Sequence, residues 1–145
     1  MKTLSFTIDG EPFAKERHRT TKTGHTYTPE KTVNYENRVY AAFCAVKPNN
    51  WTPHDGPVLM TVRAFFAIPP SWPKWKQRAY ETEATLSVHQ RDYDNIEKII
   101  TDALNKIAFL DDRQVSTGGC RKYHSRRPRL EVEFTFYPKP RREQP

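Results

Sequence analysis

Apolar and polar residues alternate at the start of the chain, with Leu4, Phe6 and Ile8 on one side, which predicts a strand. From Pro29 to Val46 the period lengthens. Val33, Val39, Ala42, Phe43 and Val46 make a helical stripe, with Thr28 as the expected cap and Pro29 in the first turn. The three prolines between Lys47 and Pro57 predict a loop. Val58 to Ile68 reads as a central strand, buried on the face of Val58, Met60, Val62, Ala64, Phe66 and Ile68. Pro69-Pro70-Ser71-Trp72-Pro73 stops it, and a short helix to about Ala84 follows, carrying Trp75, Lys74, Lys76 and Arg78.

The strongest period belongs to Ile96, Ile99, Ile100, Ala103, Leu104 and Ile107, one buried face of an amphipathic helix. Asp94 is its expected N-cap, with Glu97 completing a capping box. Gln114-Val115 opens another strand through Gly118-Gly119 to His124, Arg126-Arg127-Pro128 turns the chain, and Leu130, Val132, Phe134 and Phe136 alternate along a last strand. The order predicts an α+β fold: a four-stranded mixed sheet with two main helices packed on one face. Residues 1–137 are expected to form a single domain, and 138–145 a basic tail without fixed structure.

Composition narrows the partners. The 145 residues hold 24 Lys and Arg against 17 Asp and Glu, a net charge of +7, with a pI near 9.5 and a mean hydropathy of −0.87. This balance favours a polyanion, nucleic acid first. A hydrophobic fraction of 36% implies modest stability for one copy alone, which a dimer interface would improve. Cys44 and Cys120 form no metal or redox motif, the histidines make no zinc pattern, and no apolar run matches a membrane span or signal segment. A soluble, cytoplasmic protein of a bacterial or phage-infected cell is expected.

The cations cluster in two stretches. Lys15, Arg17, His18, Arg19 and Lys22 lie on a glycine-containing loop, and Arg121, Lys122, His124, Arg126, Arg127 and Arg129 on the last hairpin. Lys15, Arg17, Arg19, Lys22, Arg91, Arg121, Lys122, Arg126 and Arg127 are the candidate DNA contacts, chiefly to phosphates. Trp72 and Trp75, interleaved with basic residues, allow two readings: stacking on unpaired bases, or packing the short helix onto the body or a second subunit.

The candidate chemistry lies around the amphipathic helix. Asp92 and Asp94 leave an extended segment on the same side, roughly 7 Å apart at Cα. Asp111-Asp112 follow the helix, and a short return strand could bring Asp112 back beside them. Three convergent carboxylates would repel one another without a cation, and hard divalent ions take such oxygen ligands. Asp92, Asp94 and Asp112 are therefore expected to ligate Mg²⁺, with Mn²⁺ as a substitute. Lys98, one helical turn from Asp94, would meet a phosphate or its developing charge. Asp111, Asn95 and Asp102 would support the ligands from behind. The plain alternative is an Asp cap, a solvated Asp-Asp turn and an Asp94–Lys98 surface pair.

The whole pattern, Asp92-x-Asp94-Asn95-x-x-Lys98-x-x-x-Asp102-x-Leu104 followed by Asp111-Asp112, resembles the signature of the RusA-type Holliday junction resolvases. Tyr27-Thr28-Pro29 and Tyr35-Glu36 resemble its phage and prophage branch. His18 replaces the proline usual between the two arginines, and Gln90-Arg91 replaces Lys-Pro ahead of the first aspartate. The resemblance implies the same four-stranded fold, a homodimer, the same three metal-binding aspartates, and symmetric nicks in a four-way DNA junction that leave 5′-phosphates. Three rival readings remain: a non-catalytic branched-DNA-binding protein, a broader flap or branched-DNA nuclease, and a nuclease acting on RNA.

Overall fold

The computed structural model describes residues 1–17 and 19–143. Strand β1 (Lys2–Asp9) is followed by a two-residue hairpin, β2 (Arg19–Thr20) and β3 (Thr26–Tyr27), and by helix α1 (Glu30–Val46). Then come β4 (Val58–Ala67), the short helix α2 (Lys74–Glu81), helix α3 (Tyr93–Leu104), a 3-10 turn (Asp112–Gln114), β5 (Val115–Ser125) and β6 (Arg129–Phe136). The main sheet runs in the order β1-β6-β4-β5. β6 pairs antiparallel with both neighbours, while β4 and β5 run parallel. The expected four-stranded mixed α+β sheet is present, and the parallel pair requires the long crossover that α2 and α3 supply.

Alternation decides which face is covered. Val58, Met60, Val62, Ala64 and Phe66 of β4 are buried together with Phe6 and Ile8 of β1 and Leu130, Val132, Phe134 and Phe136 of β6. Against them lie Ile96, Ile99, Ile100 and Leu104 of α3. α1 presents Thr32, Tyr35, Val39 and Phe43 rather than the stripe expected from apolarity alone, and Val33 and Val46 are exposed. Pro29, not Thr28, occupies the cap position of α1.

Helix α3 also departs from expectation at both ends. Its N-cap is Asp92, because the Ile96 N–H reaches back to the Asp92 carbonyl at 3.1 Å. That puts Asp94 inside the first turn, so no Asp94–Glu97 capping box forms. The helix closes at Leu104, and the amides of Ile107 and Ala108 turn back onto the Leu104 carbonyl. Ala108 and Phe109 are then fully buried, and Phe109 bridges to His54. This segment seals the floor of the core under the end of α3. It is not a return strand.

On the opposite face of the sheet, Phe65 is covered by the Arg129 guanidinium at 3.9 Å and the stacked Tyr123 ring at 5.2 Å. Gly56 sits where a Cβ would collide with the backbone of Tyr137 and Lys139, which closes the chain after β6 onto the loop before β4. Residues 138–143 form neither helix nor strand. The rest of the expected disordered tail, Gln144 and Pro145, lies outside the described residues, as does His18.

Candidate active site

Asp92 is delivered by the segment 84–92, which runs beside the end of β5. The Ser87 amide donates to the Lys122 carbonyl (2.8 Å), and the Ser87 hydroxyl meets His124 Nε2 (2.7 Å). His124 Nδ1 faces the Ala67 carbonyl at 3.0 Å, and the His89 ring stacks flat on Phe66 at 3.8 Å. Burial holds the His89 imidazole below its ordinary pKa, the charge of Glu11 opposing. Lys122 completes the clamp by donating to the carbonyls of His89 (2.6 Å) and Arg91 (3.0 Å). Asp92 follows in extended conformation, and its side chain forms no cap hydrogen bond with the helix it begins. Its carboxylate is thus available to something other than the backbone.

An open hollow of about 520 Å³ adjoins this helix end, lined by Lys15, Glu16, Arg17, Asp92, Asp94, Asn95, Lys98 and Asp102. The Lys15 amide donates to the Asn95 carbonyl (2.9 Å), tying the basic segment to the first turn of α3. The Lys15 ammonium lies 2.5 Å from Glu36 and 3.3 Å from Asp102. Burial disfavours its charge, but the two carboxylates outweigh that and raise its pKa. Lys15 therefore joins α1 to α3 and is not the free phosphate contact expected of it, while Asp102 is occupied by Lys15.

Glu97 lies against β5, with Oε2 3.3 Å from where a Cβ on Gly118 would stand. Burial raises its carboxyl pKa, helped by the charge of Asp94. The neighbouring Cys120 thiol is pushed up to about 12, mainly by burial, which makes it unreactive. Both cysteines are free thiols.

Asp111 and Asp112 lie elsewhere. Asp111 caps the 3-10 turn, accepting from the Arg113 amide (2.9 Å), while Gln114 accepts from the Asp111 amide (2.8 Å). The Arg113 hydrogen bond is the main reason the Asp111 carboxyl is held low. Val115 then pairs with Val58 at the start of the parallel pair, whereas Lys122 touches Arg91 at its other end. Seven strand residues separate the two by about 23 Å. Within one chain, the expected convergence of Asp112 on Asp92 and Asp94 does not occur. Its physical reason is topological: the return is made by β5 itself, after Asp112, and what β5 delivers to the Asp92 end is Lys122. Among the described residues no three acidic, histidine or cysteine side chains lie close enough to hold a metal together.

The other candidate DNA contacts divide in the same way. Arg17 borders the hollow, Arg19 and Lys22 are exposed on the β2–β3 hairpin, and Arg121 is exposed on the helix-free face beside Arg63. Arg91 lies over the Phe13 ring at 5.0 Å. Lys122 is held by backbone carbonyls, Arg126 by Glu81 (3.2 Å) and Gln77 (3.1 Å), and Arg127 approaches Asp9 at 3.9 Å. The Ser87–His124 pair, both buried, the half-buried His89 beside it and the Glu36 partner of Lys15 were not foreseen as parts of the site. No periodicity marks isolated residues whose partners lie far away in sequence.

Fold and hollow together define a class: a basic α+β domain that places two carboxylates at one helix N-terminus, with a lysine and an arginine on the same rim. The chain belongs to the RusA endodeoxyribonuclease family, since residues 9–135 match the family model described as Endodeoxyribonuclease RusA. It is also 31% identical over 135 residues to "Uncharacterized protein YqaN" of Bacillus subtilis (strain 168), covering 91% of this chain and 95% of that protein. Family membership carries nuclease activity of the Holliday-junction-resolving type, with branched DNA as the partner.

Proposed function

We propose that this protein is a Mg²⁺-dependent endodeoxyribonuclease that resolves four-way junctions by paired symmetric nicks, acting as a homodimer. Asp92 and Asp94 of one protomer and Asp112 of the partner subunit would hold the ion, which Mn²⁺ could replace. The observation that carries the reading is the hollow itself, which Asp92 and Asp94 line together with Lys98 and Arg17. Their donors are hard oxygens, the type such ions take. One protomer supplies only part of a ligand set, so the fit depends on a second copy.

Several features support that second copy. β5 is an edge strand whose residues Ser116 to Gly119 are exposed and carry no charge, the kind of edge that proteins otherwise protect. Leu86 and Val88 are exposed near one end of this edge, and Leu110 near the other. A two-fold mate laid antiparallel along β5 joins these apolar ends, as an isologous contact requires. Pairing centred on Gly118 sets Asp112 of each protomer at the level of His124 on the other, the end that carries Asp92.

Bound magnesium supplies charge shielding and lowers the pKa of water. The chain's own groups do the rest: Arg17 and Lys98 neutralise the phosphate, and Asn95 and Lys15 fix the rim on which Asp94 stands. Labelled four-way junction, duplex, flap and RNA, each incubated with Mg²⁺, Mn²⁺ or EDTA, test the proposal. Symmetric cuts in the junction alone, with metal and leaving 5′-phosphates, are expected. Equal cutting of flaps or RNA would contradict the junction assignment, and binding without cutting under any metal would contradict catalysis.

A further inference from the structure

Helix α2 buries none of its residues, yet it is firmly mounted. Trp72, just before it, packs its ring against His124 (4.8 Å) and Tyr80 (5.0 Å). Gln77 donates to the Trp72 carbonyl (2.7 Å), Arg126 holds both Gln77 and Glu81, and Glu83 is held by Ser125 (2.8 Å) and Arg129 (2.8 Å). Of the two tryptophans, then, only Trp72 packs onto the body. Trp75 is 71% exposed. Lys74 precedes it and Arg78 follows one turn later on the same outward side, both exposed, while Lys76 lies 4.0 Å over the Trp72 ring. The first carboxylate of the helix is Glu81, already engaged by Arg126.

A rigid indole flanked by cations suits a nucleic-acid strand better than a protein surface. The strand offers base faces to the ring and phosphates to the cations. A protein interface of ordinary size needs about 800 Å² per partner, far more than one ring provides. Position agrees. His124, which touches Trp72, faces His89 at 6.2 Å, and His89 stands three residues before Asp92. The helix therefore stands within about 20 Å of the acid pair, or roughly six steps of a DNA strand.

We propose that Trp75, with Lys74 and Arg78, is a stacking platform for an unpaired DNA base at the branch point, beside the strand to be cut. The proposal rests on the reading that the protein engages branched DNA. The test is binding of fluorescein-labelled four-way junction and of fully paired duplex, in EDTA to prevent cutting, by the full chain and by Trp75→Ala and Trp75→Phe. Trp75→Ala should weaken junction binding about tenfold and duplex binding less than about twofold, and Trp75→Phe should recover most of the loss. Melting temperature and oligomeric mass should stay unchanged. Unaltered junction binding by Trp75→Ala overturns the proposal, as does an equal loss on duplex. A change in oligomeric mass also overturns it, assigning Trp75 to a protein interface. If the unsubstituted protein cuts junctions while Trp75→Ala behaves identically, this inference alone fails; if it binds no DNA at all, the functional reading fails with it.

Discussion

The ammonium of Lys122 lies 2.6 Å from the carbonyl of His89 and 3.0 Å from that of Arg91, so strand β5 holds the segment of chain that leads into Asp92. A residue expected to meet phosphate instead shapes the wall on which a carboxylate stands. Lys122→Met keeps the aliphatic stem and removes both charge-assisted bonds. Urea unfolding should show a loss of about 1–3 kcal/mol. Single-turnover cleavage should fall further than junction binding does, because the acid pair is misplaced while the exposed cations remain.

Lys15 is held between Glu36 and Asp102, with only 13% of its side chain exposed. In Lys15→Met these two carboxylates face each other without a cation. A destabilisation of about 2 kcal/mol is expected after allowing for their partial exposure. Adding Asp102→Asn should recover part of it, since one of the repelling charges is gone. The double-mutant cycle by denaturant unfolding measures the coupling. Additive losses would show that Lys15 and Asp102 do not depend on each other.

Glu83 gives a pH signature. Its hydrogen bond from Arg129 is the leading reason that its carboxyl lies below the ordinary 4.5, with Ser125 assisting and burial opposing. A depressed folded-state pKa contributes stability that is present above pH 4.5 and lost as pH falls through the folded value. Glu83→Gln should therefore lower the melting temperature at pH 7, and the gap from the unsubstituted protein should narrow on acidification below 4.5. A gap that stays constant with pH would remove the ion pair from the account.

Much of the framework can be read from residue order. Leu130, Val132, Phe134 and Phe136 alternate, and Ile96, Ile99, Ile100 and Leu104 recur at helical spacing, because one face of each element must be buried. The motif from Asp92 to Lys98 led correctly to the family, and the helix that carries it is present. Local chemistry was less legible. Asp94 and Asp92 are equally good caps by residue type, and the choice is made by where the segment 84–92 parts from the end of β5. Lys15, Lys122 and Arg126 look like free cations in sequence, but each has partners at least 21 residues away. The position of Asp112 follows from the parallel pairing of β4 with β5, a long-range relationship that no local pattern encodes.

Mixing two inactive variants tests the central claim, that the metal site is shared between subunits. Asp92→Asn and Asp112→Asn should each abolish junction cleavage while leaving junction binding intact. If Asp92 and Asp112 act from different subunits, subunit exchange creates heterodimers with one site carrying both native aspartates. Random exchange of equal amounts then restores about a quarter of the native sites, read as single-strand nicks rather than full resolution. Continued inactivity of the mixture, with heterodimers shown to have formed, would contradict the shared site.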